Sequence, residues 1–187
     1  MATEARTKGI GFLNVKAFVC ERYGERSWNE LIGILPPADR DEIAAVVTVG
    51  WYRLPLYARL IREIDRTHGR GDLALVEQIG SFEAERDLTT IHRMFLRMAN
   101  PAFIVEQVGK YWARFNDTGD WEVKRIDSRS ATAILRNWGV VDSALCRENV
   151  GYIRRALELV GARDVIVDHK RCRCSGAGEC VYEGKWR

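Results

Sequence analysis

The sequence predicts an α+β domain, in which a helical N-terminal half packs on a small antiparallel sheet made of two hairpins separated by a long helix. Three observations predict this class. Apolar residues recur at helical spacing up to about residue 114. After the turn sequence NDTGD at 116–120 the spacing changes to two, as it does again near the C-terminus. Helices and strands do not alternate one by one, which disfavours a parallel, doubly wound sheet.

The helices of the N-terminal half are predicted from apolar faces and turn residues. Residues 11–23 carry an apolar face, and Gly24 follows as a residue suited to end a helix. Ser27 and Glu30 have the spacing of a capping box, which predicts a short helix over 28–34. The remaining helices are predicted over 39–47, 55–66, 72–84, 88–98 and 101–114, with HGRGD at 68–72 as a break.

The C-terminal part is predicted to contain the two hairpins and the long helix. Trp121 and Val123 alternate with charged residues, and residues 132–138 are expected to pair back on this strand after a turn at 128–130. A helix over 146–160 ends before Gly161. The second hairpin joins strands 165–174 and 180–186 through the turn SGAGE.

Length, composition and charge exclude several classes of protein. The 187 residues suit a single domain spanning 1–187, and 47% of them are hydrophobic. The net charge of +3 does not predict nucleic-acid binding, because no recognised module accompanies it. No apolar stretch reaches the roughly 18 residues of a membrane span, and the N-terminus MATEARTKG lacks the apolar segment of a secretory signal. We therefore expect a cytoplasmic protein whose five cysteines are reduced or bind a ligand.

Three stretches resemble a known superfamily. The opening KGIGFLNVKAFVCERYGERSW, at 8–28, is similar to the start of the heme–nitric-oxide-binding domains. Residues 80–123 and 148–186 resemble a poorly characterised bacterial family of myxobacterial type. The helix–strand–turn–strand ending also resembles the 4-vinyl-reductase-like domains, and the superfamily includes the Bet3-like subunits of TRAPP tethering complexes. The resemblance implies a domain that binds and reports, and not an enzyme.

The peptide HKRCRCSGAGEC at 169–180 is the strongest candidate for a metal site. On a regular strand Cys172 and Cys174 share a face about 6–7 Å apart, and Cys180 returns opposite them across the turn. Zinc takes about four such ligands. The candidates for a fourth ligand are Glu179, Cys146 or a residue of a partner chain. By strand parity, His169 is expected on the other face.

Alternatives to this zinc site stay open. Reduced cysteines packed in a hairpin, or a redox pair, would show the same sequence. The resemblance to 4-vinyl-reductase-like sensors implies a cysteine-rich zinc site near this end, on Cys172 or Cys174 and on Cys180. Zinc is therefore a candidate cofactor.

Heme is not expected as a cofactor. His92, in TTIHRMFLRM, lies on a predicted helix, and the heme–nitric-oxide-binding family uses a helical histidine followed downstream by Tyr-x-Ser-x-Arg. The corresponding stretch here is IDSRS at 126–130, which keeps Ser128 but has Ile126 and Ser130 at the tyrosine and arginine positions. His92 is a heme ligand only if heme is found.

An apolar ligand pocket is predicted from aromatic residues at helical spacing. A stripe of this kind can line a pocket between the helices and the sheet, or can be ordinary core. The predicted pocket residues are Phe95, Met98, Phe103, Tyr111 and Trp112. The ligand would be a small apolar or aromatic molecule.

These observations predict a non-enzymatic, sensor-like ligand-binding domain. No nucleophile elbow, P-loop or H-E-x-x-H motif is present in the sequence. We expect a homodimer that signals through a separate partner protein. The alternatives are a zinc-stabilised interaction scaffold without a small-molecule ligand and, more weakly, a heme-based gas sensor or a tetrapyrrole-related reductase.

Overall fold

The computed structural model describes residues 4–91 and 100–187. Its helices are α1 (Gly9–Tyr23), α2 (Glu25–Gly33), α3 (Pro37–Ala44), α4 (Leu54–His68), α5 (Ala74–Ile91), α6 (Pro101–Phe115) and α7 (Ser143–Leu159). Its strands are β1 (Arg6–Lys8), β2 (Trp51–Arg53), β3 (Asp120–Asp127), β4 (Ser130–Arg136), β5 (Ile166–Arg171) and β6 (Cys180–Lys185). The predicted α+β class is confirmed.

The strands form two antiparallel sheets. β1 and β2 make a small ribbon, and the larger sheet has the order β3-β4-β6-β5. β6 is therefore central, paired with β4 on one side and with β5 on the other. The two predicted hairpins, β3–β4 and β5–β6, are joined edge to edge by this pairing, which gives the sheet one continuous face for the helices.

The ends of the helices follow the predicted signals in part. α1 ends at Gly24, whose φ of 86° lies in the region that glycine adopts without strain. The predicted capping box is wrong, because α2 begins at Glu25 and the hydroxyl of Ser27 lies 2.9 Å from His68 Nε2 instead. The predicted break after residue 84 is also wrong, since α5 continues to Ile91 with Ala84 and Leu88 buried on one side.

The core lies mainly between the N-terminal helices and α7. Its largest fully buried side chains include Phe12, Phe18, Leu60, Ile61 and Ile79, and it extends to Leu135 and Tyr182 of the sheet. None of the helices that the structure describes is long and apolar enough to cross a membrane, as the sequence predicted.

Two glycines bring α5 and α7 into backbone contact. A Cβ atom on Gly80 would collide with the carbonyl oxygen of Glu148, and one on Gly151 would collide with that of Glu77. The helices can approach this closely only because neither position has a side chain. We call this contact, with the residues beside it, the α5–α7 seam.

Candidate functional site: a cysteine–histidine cluster beside an apolar cleft

Four potential metal ligands meet where α7 begins and the β5–β6 turn closes. One ligand atom from each of Cys146, His169, Cys172 and Cys180 lies within 4.8 Å of the others. The Sγ atom of Cys146 is 3.8 Å from that of Cys180 and 3.9 Å from that of Cys172. Cys146 and Cys180 are only 4% and 2% exposed.

A bulge in β5 explains why His169 joins this cluster. His169 pairs with Tyr182 and Arg171 with Val181, so that one extra residue is inserted in β5 between the two pairs. An inserted residue reverses the alternation of side chains beyond it. His169 therefore lies on the side of Cys172, in contrast to the expectation from a regular strand.

Two other candidate ligands lie beside this group of four. Cys174 lies in a turn of 3-10 helix over Arg173–Ser175 and is exposed, and its backbone amide donates to the sulfur of Cys172. Glu179 accepts hydrogen bonds from Arg136 at 2.7 Å and from Arg171. Cys146, one of the three alternatives for the fourth ligand, is the one that the structure brings to Cys172 and Cys180.

The electrostatics of the cluster favour one ionised sulfur. The thiol of Cys146 donates towards Cys180 and is the largest cause of a lowered pKa of Cys180. With His169 and the backbone amide of Arg173, it lowers this pKa to about 4. The same interaction with Cys180 and then burial raise the pKa of Cys146 far above its usual value. Three sulfurs and an imidazole form the kind of donor set that tetrahedral zinc prefers.

His169 is held in place by the sheet. Its ring stacks on that of Tyr182 with centroids 4.4 Å apart and planes only 2° from parallel. Its buried Nε2 has no hydrogen-bond partner among the residues that the structure describes. A fixed imidazole with a free buried nitrogen is suited to bind a metal.

An apolar cleft lies next to the cluster, and Tyr182 forms part of its lining. It contains a cavity of about 100 Å³ between α6, α7 and the sheet. The residues lining it are almost all apolar and include Ile104, Val105, Val108, Val123, Ala133, Ile153, Leu157 and Trp186. A second cavity, of about 140 Å³, shares Val108, Tyr111, Trp121, Tyr152 and Ile153 with the first and extends to Glu83 and Glu148. We call the two cavities together the cleft.

The predicted pocket residues do not all line the cleft. Tyr111 lines both cavities and Trp112 lines the larger one, whereas Phe103 is 43% exposed and lines neither. Phe95, Met98 and His92, which was named as a heme ligand only if heme is found, lie outside the described residues. The predicted pocket lay between the helices and the sheet, but no residue of the sheet or of α7 was named for it, because residues so distant in the chain share no period with α6.

Polar groups with unfilled hydrogen-bonding capacity also line the cleft. The indole nitrogens of Trp121 and Trp138 and Nδ2 of Asn149 are buried and have no hydrogen-bond partner among the described residues. All three residues line the larger cavity. Buried donors of this kind are usually satisfied by a ligand or by ordered water.

Comparisons with solved structures identify the fold. An H-NOX protein from S. oneidensis, a triple mutant in the Fe(II) ligation state, is similar with a TM-score of 0.78 and 16% identity, covering 96% of each chain. The H-NOX domain from Shewanella oneidensis in the Fe(II)CO state has a TM-score of 0.75 and 15% identity, covering 96% of this chain and 98% of that one. Fe(II) unliganded H-NOX from K. algicida, mutated at one position, has a TM-score of 0.71 and 13% identity over 96% of both chains.

The resemblance to the heme–nitric-oxide-binding domains is thus confirmed for the fold. No family model matches the sequence, and no curated protein matches it either. At these identities the comparisons establish architecture alone. Nothing found supports the 4-vinyl-reductase-like or TRAPP parts of the resemblance.

The expectation that heme is not a cofactor is wrong in the light of these comparisons. H-NOX proteins in Fe(II), Fe(II)NO and Fe(II)CO states share the fold over nearly the whole chain. The expectation depended on Ile126 and Ser130, two departures within a single short stretch. The walls of the smaller cavity come from α6, α7 and the sheet and are largely apolar.

Proposed function

We propose that this protein is a non-enzymatic, cytoplasmic sensor domain that binds a flat and mainly apolar ligand in the cleft, and that heme is the first ligand to test. The observation that carries the proposal is that helix α6 is not buried against the rest of the protein. Its apolar residues line the cavities, yet none of its residues is buried. A ligand between α6 and the sheet would complete this packing.

The described part of the cleft fits an apolar ring system. Ile104, Val108 and Ile153 offer aliphatic contacts, and Val123 and Ala133 offer the opposite wall from the sheet. The orphaned donors of the larger cavity can bind polar atoms at the edge of the ligand. When bound, heme would supply an iron centre for a diatomic gas.

If the heme iron is bound through a histidine, two of the three histidines in the chain are already engaged elsewhere. His68 is hydrogen-bonded to Ser27 and stacked on Tyr23, and His169 belongs to the cysteine cluster. Neither lines the cleft. His92 is therefore the histidine to test, although it lies outside the described residues.

The signal would leave through a protein partner. A ligand that fixes α6 against the sheet also fixes the outer face of this helix, where Phe103 is exposed. A separate protein that binds this face would then respond to occupancy. We also expect a homodimer, with the ligand bound independently of the cysteine cluster.

The proposal is tested by titrating the purified protein with hemin, protoporphyrin and a panel of planar apolar probes. Trp121 and Trp186 line the smaller cavity and report binding by quenching of their fluorescence. Val108→Trp fills both cavities and is expected to weaken binding at least tenfold. Phe103→Ala, on the same helix but outside the cleft, is the matched control and should bind like the wild type. His92→Ala should remove only the absorption change that axial ligation of hemin produces.

Two outcomes would overturn the proposal. If no probe binds the folded protein, the cleft is not a ligand site. If Val108→Trp binds as tightly as Phe103→Ala, the ligand is held elsewhere.

A second candidate function is a zinc-stabilised interaction scaffold, and the four converging ligand atoms favour it. Zinc would tie the start of α7 to β5 and β6, through Cys146, His169, Cys172 and Cys180. The two candidates are compatible, because none of the four cluster residues lines the cleft. Zinc alone, with an empty cleft, would support the scaffold.

A further inference from the structure

Three side chains from three helices meet at one end of the larger cavity. The hydroxyl of Tyr57 on α4 lies 2.7 Å from Oε1 of Glu83 on α5. The same hydroxyl is hydrogen-bonded to Oε1 of Glu148 on α7. Tyr57 and Glu83 are each only 4% exposed, and both glutamates line the cavity.

The single hydrogen of the Tyr57 hydroxyl cannot satisfy both of its carboxyl contacts, so one carboxyl group in this cluster must carry a proton. A tyrosine hydroxyl has one hydrogen and can donate it to one oxygen only. Its second contact with a carboxyl oxygen is favourable only if that carboxyl group is protonated and acts as the donor. Glu83 is the better carrier, because it is deeply buried and faces the charge of Glu148.

Among the residues that the structure describes, the groups next to the two glutamates offer no positive charge to replace this proton. Among the described residues, no lysine or arginine forms an ion pair with Glu83 or Glu148. Lys8 lines the cavity, but its Nζ donates to the carbonyl oxygen of Val49. Arg86 is directed to Asn14 and Glu21.

Other titratable groups add negative charge or are neutral. Asp87 on α5 accepts from Asn14 Nδ2 at 2.8 Å and from the hydroxyl of Tyr152 on α7. Tyr111 of α6 also lines the cavity. Burial and then the charge of Glu148 raise the pKa of Glu83 well above its ordinary value. Burial likewise raises the pKa of Tyr57 and Tyr152, so both stay neutral.

The α5–α7 seam holds the backbones that carry the two glutamates close together. Glu83 and Glu148 each lie three residues from a seam glycine, Gly80 and Gly151 respectively. Since the backbones already touch there, the two side chains start from closely spaced positions, and their carboxyl groups meet at the Tyr57 hydroxyl.

We propose that Glu83 holds a proton that locks α5 to α7, and that loss of this proton loosens the seam and the wall of the larger cavity. On release, the O–H bond of the Glu83 carboxyl group breaks and the proton goes to water or hydroxide. Two facing carboxylates then share one tyrosine hydrogen. This proton lock goes beyond the ligand-binding proposal and does not depend on which ligand the cleft takes.

The sign of the pH dependence follows from the raised pKa. The unfolded chain loses the Glu83 proton near its ordinary pKa of 4.5, whereas the folded chain keeps it to higher pH. The proton on Glu83 therefore gives its full stabilisation of the fold below the ordinary pKa of 4.5. This stabilisation is lost as pH rises through the pKa of Glu83 in the folded chain. Each unit between the two pKa values changes the unfolding constant by about tenfold.

The test compares unfolding of the wild type with Glu83→Gln between about pH 5 and about pH 9. The amide of glutamine keeps a donor but cannot ionise, so this variant should lose the pH-dependent fall in unfolding temperature that the wild type shows. Glu85→Gln, an exposed position two residues further along the same helix, should keep the wild-type profile. Parallel profiles for the wild type and Glu83→Gln would overturn the proposal.

A measurement on the wild type alone tests the proposal even if Glu83→Gln does not fold. Infrared difference spectra should show the loss of a protonated carboxyl band as pH rises. Over the same range, amide protection in α5 and α7 should fall, after correction for the intrinsic rate of exchange. If the band is absent, or protection in both helices stays constant, Glu83 holds no such proton.

Discussion

The sulfur of Cys180 is surrounded by groups that favour its ionised form. The thiol of Cys146, the ring of His169 and the amide of Arg173 all approach it. A thiolate is the form in which cysteine binds metals. At the residue scale, Cys180 is therefore the side chain on which a zinc site would most depend.

Replacing this residue should remove the metal and destabilise the protein. We expect Cys180→Ser to contain much less zinc than the wild type and to unfold at a lower temperature, because metal binding contributes to folding free energy. Elemental analysis and thermal unfolding on the same samples measure both effects. Cys20→Ser, on α1 outside the cluster, is the control and should keep its metal. Wild-type protein that takes up no zinc from a zinc-containing buffer would contradict the prediction.

The candidate site could be predicted from the sequence only in part. Cys172 and Cys180 were found because they are close in the chain and flank a turn. His169 was not expected in the cluster, because no residue type in HKRCR indicates the bulge that turns it. Cys146 lies far away in the sequence, so only the packing of α7 on the sheet could select it from the alternatives.

At the scale of elements, the contact between α5 and α7 depends on Gly80 and Gly151. Both glycines lie inside helices, where glycine usually lowers helix stability by about 1 kcal/mol relative to alanine. Here the close approach outweighs that cost. It also sets the distance between Glu83 and Glu148, and so connects the core of the helical half to the cleft.

Gly151→Ala should therefore destabilise the protein despite the better helix propensity of alanine. The added methyl group meets the backbone of Glu77, and we expect a loss of about 1–3 kcal/mol in the free energy of unfolding. Chemical denaturation measures this change. Gly33→Ala is the matched control, because a methyl group at that position meets no atom within 4 Å and should leave stability unchanged or slightly higher. Equal stability of the two variants would show that the seam is not tightly packed.

Most elements could be predicted because their apolar spacing is intrinsic to the sequence. The helices over 55–66 and 101–114 are found as α4 and α6 with nearly the same ends. β1 and β2 are too short to show an alternating pattern, and their pairing is set by contacts with α4. The false break near residue 84 lies inside one continuous helix, in which Ala84 and Leu88 are both buried.

At the scale of the whole molecule, the fold class followed from the sequence, whereas the predicted pocket was assigned only to residues at helical spacing. A change of period from helix to strand is visible locally. A cavity depends on how α6, α7 and the sheet fail to fill the space between them, and no local pattern reports this. The fold is similar to that of H-NOX proteins, and the cleft is lined by apolar residues of α6 that are not buried.

A native mass spectrum of the protein, produced in cells supplied with a heme precursor, shows whether the cleft holds a ligand. We expect one heme or other small organic ligand for each chain, retained in Phe103→Ala and lost in Val108→Trp. The same spectrum reports zinc and the number of subunits. A chain that carries no organic ligand, and that takes up neither hemin nor any planar probe afterwards, would contradict the claim that the cleft is a ligand site.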